Sequence, residues 1–121
     1  MTYNFNNEIP IYIQIVDLVM NDISSGKLKP GDKLLSVREY SNVFKVNPNT
    51  ICKALSILED KKIIYTERTN GKFVSSNLDI INNHKKTLFE EKINSFLKDL
   101  YMMGYTKDEI IKRIKEIEEW V

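Results

Sequence analysis

Asn47, Asn49, Thr50 and Lys53 lie close together around and after Pro48, interleaved with apolar positions at helical spacing. Side chains of these types read hydrogen-bond patterns rather than break bonds. Asn pairs bidentately with adenine, Thr meets a base or the thymine methyl, and Lys reaches guanine or a phosphate. On the first turns of a helix they are reinforced by the helix dipole and by unpaired N–H groups, which attract phosphate. Arg38, a few residues upstream, is placed to clamp a sugar-phosphate backbone, and Lys45 lies between the two segments. A second polar group, Arg68, Asn70, Gly71 and Lys72, follows downstream, with Gly71 allowing a close backbone approach. With Ser36, these residues are the expected contacts to double-stranded DNA.

The elements that must position them follow from local signals. Pro10 suits a first helical position, and Ile11, Ile15, Leu18, Val19 and Ile23 recur at three- and four-residue spacing as a core-facing stripe. Ser24-Ser25-Gly26 ends that helix and Lys29-Pro30-Gly31-Asp32 makes a turn. Ser36 and Glu39 form a capping box that opens a short helix stopping near Phe44-Lys45. Asn47 caps and Pro48 starts another helix running to about Lys61, with Ile51, Ala54, Leu55 and Leu58 facing inward. Residues 36–55 thus read as a helix-turn-helix. Between the β-prone runs Ile63–Arg68 and Lys72–Ser75, Asn70-Gly71 predicts a hairpin, because both residues tolerate positive φ. Three helices and a hairpin at 63–75 predict a winged helix-turn-helix over residues 1–76, mainly α with a small β wing (α+β).

Residues 77–121 return to helical periodicity. Leu88, Ile93, Phe96, Leu97, Leu100 and Tyr101 share one apolar face, and Gly104 is a C-cap. Thr106 with Glu109 opens a final helix carrying Ile110, Ile111, Ile114, Ile117 and Trp120. Two amphipathic helices are too little to enclose a dedicated metabolite pocket with its own core. Their faces need a partner, which predicts a homodimer through Leu88, Ile93, Phe96, Leu97, Leu100, Tyr101, Ile110, Ile114, Ile117 and Trp120. The rival is that the tail completes one monomer's core.

Composition is permissive. Of 121 residues, 42% are hydrophobic and 29% charged, as in an ordinary soluble globular protein. Net charge is only +1, so bulk charge cannot drive coating of a polyanion. Residues 1–76 hold 10 Lys and Arg against 8 Asp and Glu, and residues 77–121 hold 8 against 9, so any basic surface is local. One cysteine, Cys52, and one histidine, His84, predict neither disulfide nor metal site, and no cofactor is expected. The amino-terminal residues lack a secretion signal and no apolar run suits a membrane span, which predicts a cytoplasmic chain without membrane contact. No carboxylate pair, nucleophile–base motif or phosphate loop suggests an enzyme.

Several of these residues also have plainer roles. Ser36 and Asn47 cap helices whatever the function, Lys45 and Lys53 suit a solvated surface, and Cys52 suits packing or a groove edge. Their order along the chain is more telling. Residues 9–74 resemble the GntR family of bacterial winged-helix transcription regulators. The resemblance rests on Ile9-Pro10-Ile11-Tyr12-Ile13-Gln14-Ile15, on Ser25 to Leu34, on Ser36-Val37-Arg38-Glu39 and on Val46-Asn47-Pro48-Asn49-Thr50-Ile51. Ala54, Leu58-Glu59 and Gly71-Lys72-Phe73-Val74 complete it. Asn47-Pro48-Asn49-Thr50 and the short helical tail are similar to the YtrA subfamily in particular.

The resemblance implies a backbone-clamping role for Arg38, a recognition-helix role for Thr50 and a wing role for Gly71. It also implies a repressor on a palindromic operator, controlling a transporter operon, with any effector left open. Three departures stand out. Leu35 replaces the family's usual proline, Cys52 stands where many relatives carry arginine (with Lys53 beside it supplying charge), and the wing keeps one glycine. The alternative from another class is a winged-helix module that binds protein or RNA without an operator.

Overall fold

The computed structural model describes residues 3–117. Helix α1 runs Ile11–Ser24, one residue later than expected, because Pro10 is its cap (φ −52°, ψ 137°) and not its first helical residue. The Pro10 carbonyl accepts from the Gln14 N–H at 3.4 Å. Ile15, Val19, Met20 and Ile23 are buried, whereas Ile11 is 41% exposed and Leu18 only half-buried. The inward stripe therefore includes Met20, an unbranched side chain that fills gaps periodicity does not reveal. Ahead of α1, the Gln14 amide holds the chain like a clasp: Nε2 donates to the Asn6 and Ile9 carbonyls (2.7 and 2.9 Å), and Oε1 accepts from the Asn6 N–H at 2.8 Å.

Helix α2, Val37–Phe44, begins with both halves of the capping box in place. Its buried Tyr40 and Phe44 rings stack at 5.7 Å, and Tyr3 and Phe5 meet Phe44 edge-on at 4.8 and 6.3 Å. The turn that follows is tight because Lys45 adopts the left-handed conformation (φ 58°, ψ 44°). Ser41 closes it, donating its hydroxyl to the Val46 carbonyl at 2.6 Å. Helix α3, Pro48–Asp60, then starts from Asn47 and buries Ile51, Ala54, Leu55 and Leu58 almost completely. It ends in a Schellman motif, in which Lys62 N–H reaches the Glu59 carbonyl (2.9 Å) and Ile63 N–H the Leu58 carbonyl (3.0 Å). That motif needs a left-handed residue, and here it is Lys62 at φ 64°.

Strands β1, Ile64–Glu67, and β2, Gly71–Val74, pair antiparallel with Ile64 opposite Val74 and Glu67 opposite Gly71. The hairpin forms where Asn70-Gly71 predicts it, but only one of the two residues uses its tolerance of positive φ. Asn70 N–H bonds the Glu67 carbonyl at 3.2 Å, and only Gly71 (φ 109°) takes positive φ; Asn70 does not. A turn followed by a glycine at positive φ is the longer-loop solution to the same hairpin problem. The stretch around Lys33, which follows the expected Lys29–Asp32 turn and carries no expected element, pairs with the other edge of β2. Val74 N–H bonds the Asp32 carbonyl (2.8 Å) and Leu34 N–H the Lys72 carbonyl (2.9 Å).

Strand alternation gives the hairpin two faces. Ile64 and Val74 are buried on one, and Thr66 and Lys72 continue that face outward. Tyr65 and Phe73 stack at 5.7 Å on the other. Helix α4, Leu78–Met102, opens on Asn77, whose Oδ1 accepts from the Asp79 N–H at 3.1 Å. It closes on Gly104 (φ 94°) in a second Schellman motif, Gly104 to Tyr101 and Tyr105 to Leu100. Helix α5, Lys107–Glu116, opens on the Thr106–Glu109 capping box. The chain divides into two compact units between Asn83 and His84, so buried Ile81 on α4 belongs to the first.

Holding a lysine in the left-handed region costs about 1–2 kcal/mol, which glycine avoids. Lys62→Gly is therefore expected to stabilise the protein by about 1 kcal/mol, partly offset by unfolded-chain entropy, and Lys62→Val to destabilise it. Urea denaturation checks this as a shift of midpoint at unchanged slope.

Candidate nucleic-acid interface

The face of α3 opposite its buried stripe carries the polar residues singled out above. Asn47, Asn49, Cys52 and Lys53 are exposed, and Thr50 is half-buried. The first turn is more self-contained than its sequence suggests. Pro48 has no N–H, the Asn49 N–H is bound by the Asn47 side chain at 2.8 Å, and the Thr50 N–H by the Asn47 carbonyl at 2.9 Å. The expected reservoir of unpaired donors at this helix end is thus absent among the described residues. The dipole and the exposed side chains remain.

Lys53 is also committed. Its ammonium lies over the Tyr12 ring, 3.9 Å from the centroid, a contact worth about 0.5–1 kcal/mol at an exposed site. It ties α3 to the first turn of α1 and sets where the lysine starts from. Arg38 and Lys45 are exposed, and neither forms an ion pair among the described residues.

At the wing, Arg68, Thr69 and Asn70 form the exposed tip, and Asn70 Nδ2 donates to the Glu67 carboxylate at 3.1 Å. Lys72, expected to flank the tip, does so on β2, and its side chain turns towards the end of α3. Its ammonium donates to Thr66 Oγ1 at 2.7 Å and to Glu59 Oε2 at 3.4 Å, while the Thr66 hydroxyl donates to Glu59 Oε1. Gly71 is favoured by its φ of 109°, and a Cβ there would come within 3.1 Å of Lys33 Cε, the movable end of a lysine side chain. Lys33 is thus a wing cation that the sequence reading missed, since its pairing with β2 was not foreseen. A shallow concavity of about 420 Å³ runs from Lys33, Ser36 and Val37 to Arg68, Asn70 and Gly71.

Two carboxylates in this region are held below their ordinary range. The Ser36 backbone N–H, and then its hydroxyl, keeps the Glu39 carboxyl low. The Thr66 hydroxyl does the same for Glu59, outweighing partial burial and helped by Lys72. Among the described residues no cluster of His, Cys, Asp or Glu suits a metal ion, and no helix is long and apolar enough to cross a membrane.

A helix-turn-helix followed by a hairpin, with a polar exposed face on the second helix, is the architecture of winged-helix regulators. The family model for bacterial regulatory proteins of the gntR family matches residues 11–74. The chain is 38% identical over 119 residues to the uncharacterized HTH-type transcriptional regulator YhcF of Bacillus subtilis, covering 98% of each. It is 37% identical over 109 residues to the HTH-type transcriptional repressor YtrA of the same organism, covering 89% of this chain and 84% of YtrA.

Among solved structures, a GntR family transcriptional regulator from Listeria monocytogenes superposes with a TM-score of 0.88 at 36% identity, over 94% of this chain and all of that one. The AraR DNA-binding domain in complex with operator ORE1 matches 62% of this chain and 94% of its own, with a TM-score of 0.54 at 27% identity. This chain belongs to the GntR family. It is a transcriptional regulator, not an enzyme.

The depressed carboxylates fix a sign. A group whose pKa is lowered by folding adds stability above its unfolded value, near 4.5, and that stability is lost as pH falls through the folded value. Carboxyl carbon NMR titration is expected to place Glu39 and Glu59 below 4.5, with Ser36→Ala returning Glu39 towards it and leaving Glu59 in place.

Proposed function

We propose that this regulator is a homodimeric repressor that acts in the cytoplasm on a palindromic operator, reading it with the exposed face of α3. The observation that carries the reading is the division of α3. One face is fully buried by Ile51, Ala54, Leu55 and Leu58, and the other offers Asn49, Thr50 and Lys53 on its first turns. Asn47, Asn49, Thr50 and Lys53 are assigned to bases and nearby phosphates. Arg38, Ser36 and Lys45 are assigned to the backbone beside them, and Arg68, Asn70 and Gly71 to the wing contact, with Lys72 behind it. The AraR domain seen on its operator supports DNA as the ligand, and YtrA, named a repressor, supports the sign of regulation. A transporter operon is the regulated unit that the family resemblance implies.

In this proposal residues 1–76 bind DNA and residues 77–121 pair the subunits. Ile93, Phe96, Tyr101, Ile114 and Ile117 are 36–45% exposed, a concentration of apolar surface that suits a protein contact. An apolar groove of about 690 Å³ runs between Phe96, Leu100 and Met103 on one side and Ile110, Ile114 and Ile117 on the other. Leu88, Leu97 and Leu100 are half-buried, and Ile110 is already covered within the single chain, so it supports the groove floor more than the contact. Trp120, also expected here, lies outside the described residues. A two-fold dimer would set two α3 helices about 34 Å apart, one turn of DNA.

Two measurements test this reading. In anisotropy titrations against an operator selected from random DNA, log Kobs is expected to fall linearly with log salt. Arg38→Ala should weaken binding about tenfold and flatten the slope by about one unit; unchanged affinity in that variant would remove Arg38 from the interface. Analytical ultracentrifugation should give twice the 14.2 kDa chain mass, with Phe96→Glu shifting the protein to monomer. A wild-type species at 14.2 kDa sinks the dimer.

A further inference from the structure

The wing's one half-buried cation is not directed at solvent. Lys72, Thr66 and Glu59 close a three-membered ring: ammonium to hydroxyl at 2.7 Å, hydroxyl to carboxylate, ammonium to carboxylate at 3.4 Å. The Lys72 and Glu59 side chains retain 27% and 38% exposure. The ring lies where the hairpin face carrying buried Ile64 and Val74 runs out past α3, so it extends the packing contact as a polar contact. Each member is in a fixed frame. Glu59 is in the last turn of α3, next to the Schellman turn, and Thr66 and Lys72 are directly opposite in the strand register.

We propose that Glu59 is a positioning residue that latches the wing to α3 and withholds the Lys72 charge from DNA phosphates, so that Lys33 and Arg68 are the cations the wing presents. The inference rests on the operator-binding reading. Affinity for phosphate is independent of sequence, and each neutralised phosphate adds about 0.9 to the steepness of log Kobs against log salt. Retiring one cation into an internal ring therefore lowers binding to any duplex while leaving base reading by α3 intact. The ring's chemistry suits this: an ionised carboxylate satisfies Lys72 better than a neutral amide would, so the charge on Glu59, and not its shape, holds the lysine.

The test is a salt titration of the full chain on two fluorescent duplexes, one of mixed sequence and about 30 base pairs, the other an operator selected from random DNA. Glu59→Gln, which keeps shape and removes charge, is expected to steepen the salt slope on both by about 0.9 and to tighten low-salt binding to the mixed-sequence duplex several-fold. Glu59→Gln with Lys72→Ala should return the slope to the wild-type value, and Lys72→Ala alone should leave it unchanged. A purely structural role for Glu59 would weaken binding without steepening the slope. The proposal is overturned if Glu59→Gln leaves the slope unchanged or shallower, or if Lys72→Ala alone flattens it, which would make Lys72 an ordinary phosphate contact. Wild-type protein that binds neither duplex would instead overturn the operator reading, and this inference with it. Should Glu59→Gln fail to fold, Glu59→Ala removes the same charge from the last turn of α3 and carries the same expectation.

Discussion

The dry side of α3 constrains nearly everything else in the first unit. A helix can bury only a stripe of its surface against neighbours, and α3 spends that stripe on Ile51, Ala54, Leu55 and Leu58, all but removed from water. Helices α1 and α2 and strand β1 each contact α3, so it is the member that these three share. Truncating any one of Ile51, Leu55 or Leu58 to alanine would cost about 2–5 kcal/mol, a large part of the stability of a small domain. The opposite face has no packing duty. Polar residues can stand there without disturbing the fold, and the proposed readers of DNA are found there.

What surrounds α3 is organised by helix and strand ends. Ser36 and Asn47 begin α2 and α3 with side-chain caps, and Lys45 and Lys62 end them in the left-handed region where glycine is the usual choice. Those two lysines store a small strain, and each permits an abrupt change of direction: α2 into α3, and α3 into β1. Both reversals are short. They leave little freedom in the angle between α2 and α3, which is the angle a helix-turn-helix must hold constant.

Much of this was legible in the sequence because its causes are local. Capping boxes, a proline after Asn47, the apolar spacing of α3 and the Gly104 stop each act within one or two turns, and residues a turn apart are all that a pattern reading compares. The missed features join residues far apart in the chain. The Gln14 clasp on Asn6, the pairing of Lys33 with Phe73, and Lys53 over Tyr12 leave no periodic trace. Lys72 shows the same limit: its neighbours in sequence are wing residues, but its bonding partners include a glutamate thirteen positions away on α3. The first turn of α3 failed differently. Asn47 was correctly read as a cap, but a cap that satisfies the Asn49 and Thr50 N–H groups also uses up the donors a phosphate would need.

That last point changes how a nearly neutral chain would approach a polyanion. With a net charge of +1 there is little long-range attraction, so an approach must rely on which local cations are uncommitted. In the structure these fall at the edges of α3 rather than on it: Arg38 at the start of α2, Lys45 in the turn, Lys33 beside β2 and Arg68 at the wing tip, all exposed. Lys53 and Lys72, the cations on α3 and on the wing strand, are held by an aromatic ring and by a carboxylate. Such a layout separates two tasks. Charge placed around the rim supplies orientation and sequence-independent affinity, while the centre of the proposed interface is left to Asn49 and Thr50, whose hydrogen bonds discriminate between bases but contribute little to binding at a distance. Discrimination by a small regulator benefits from that separation, because every cation added at the rim raises affinity for all DNA alike.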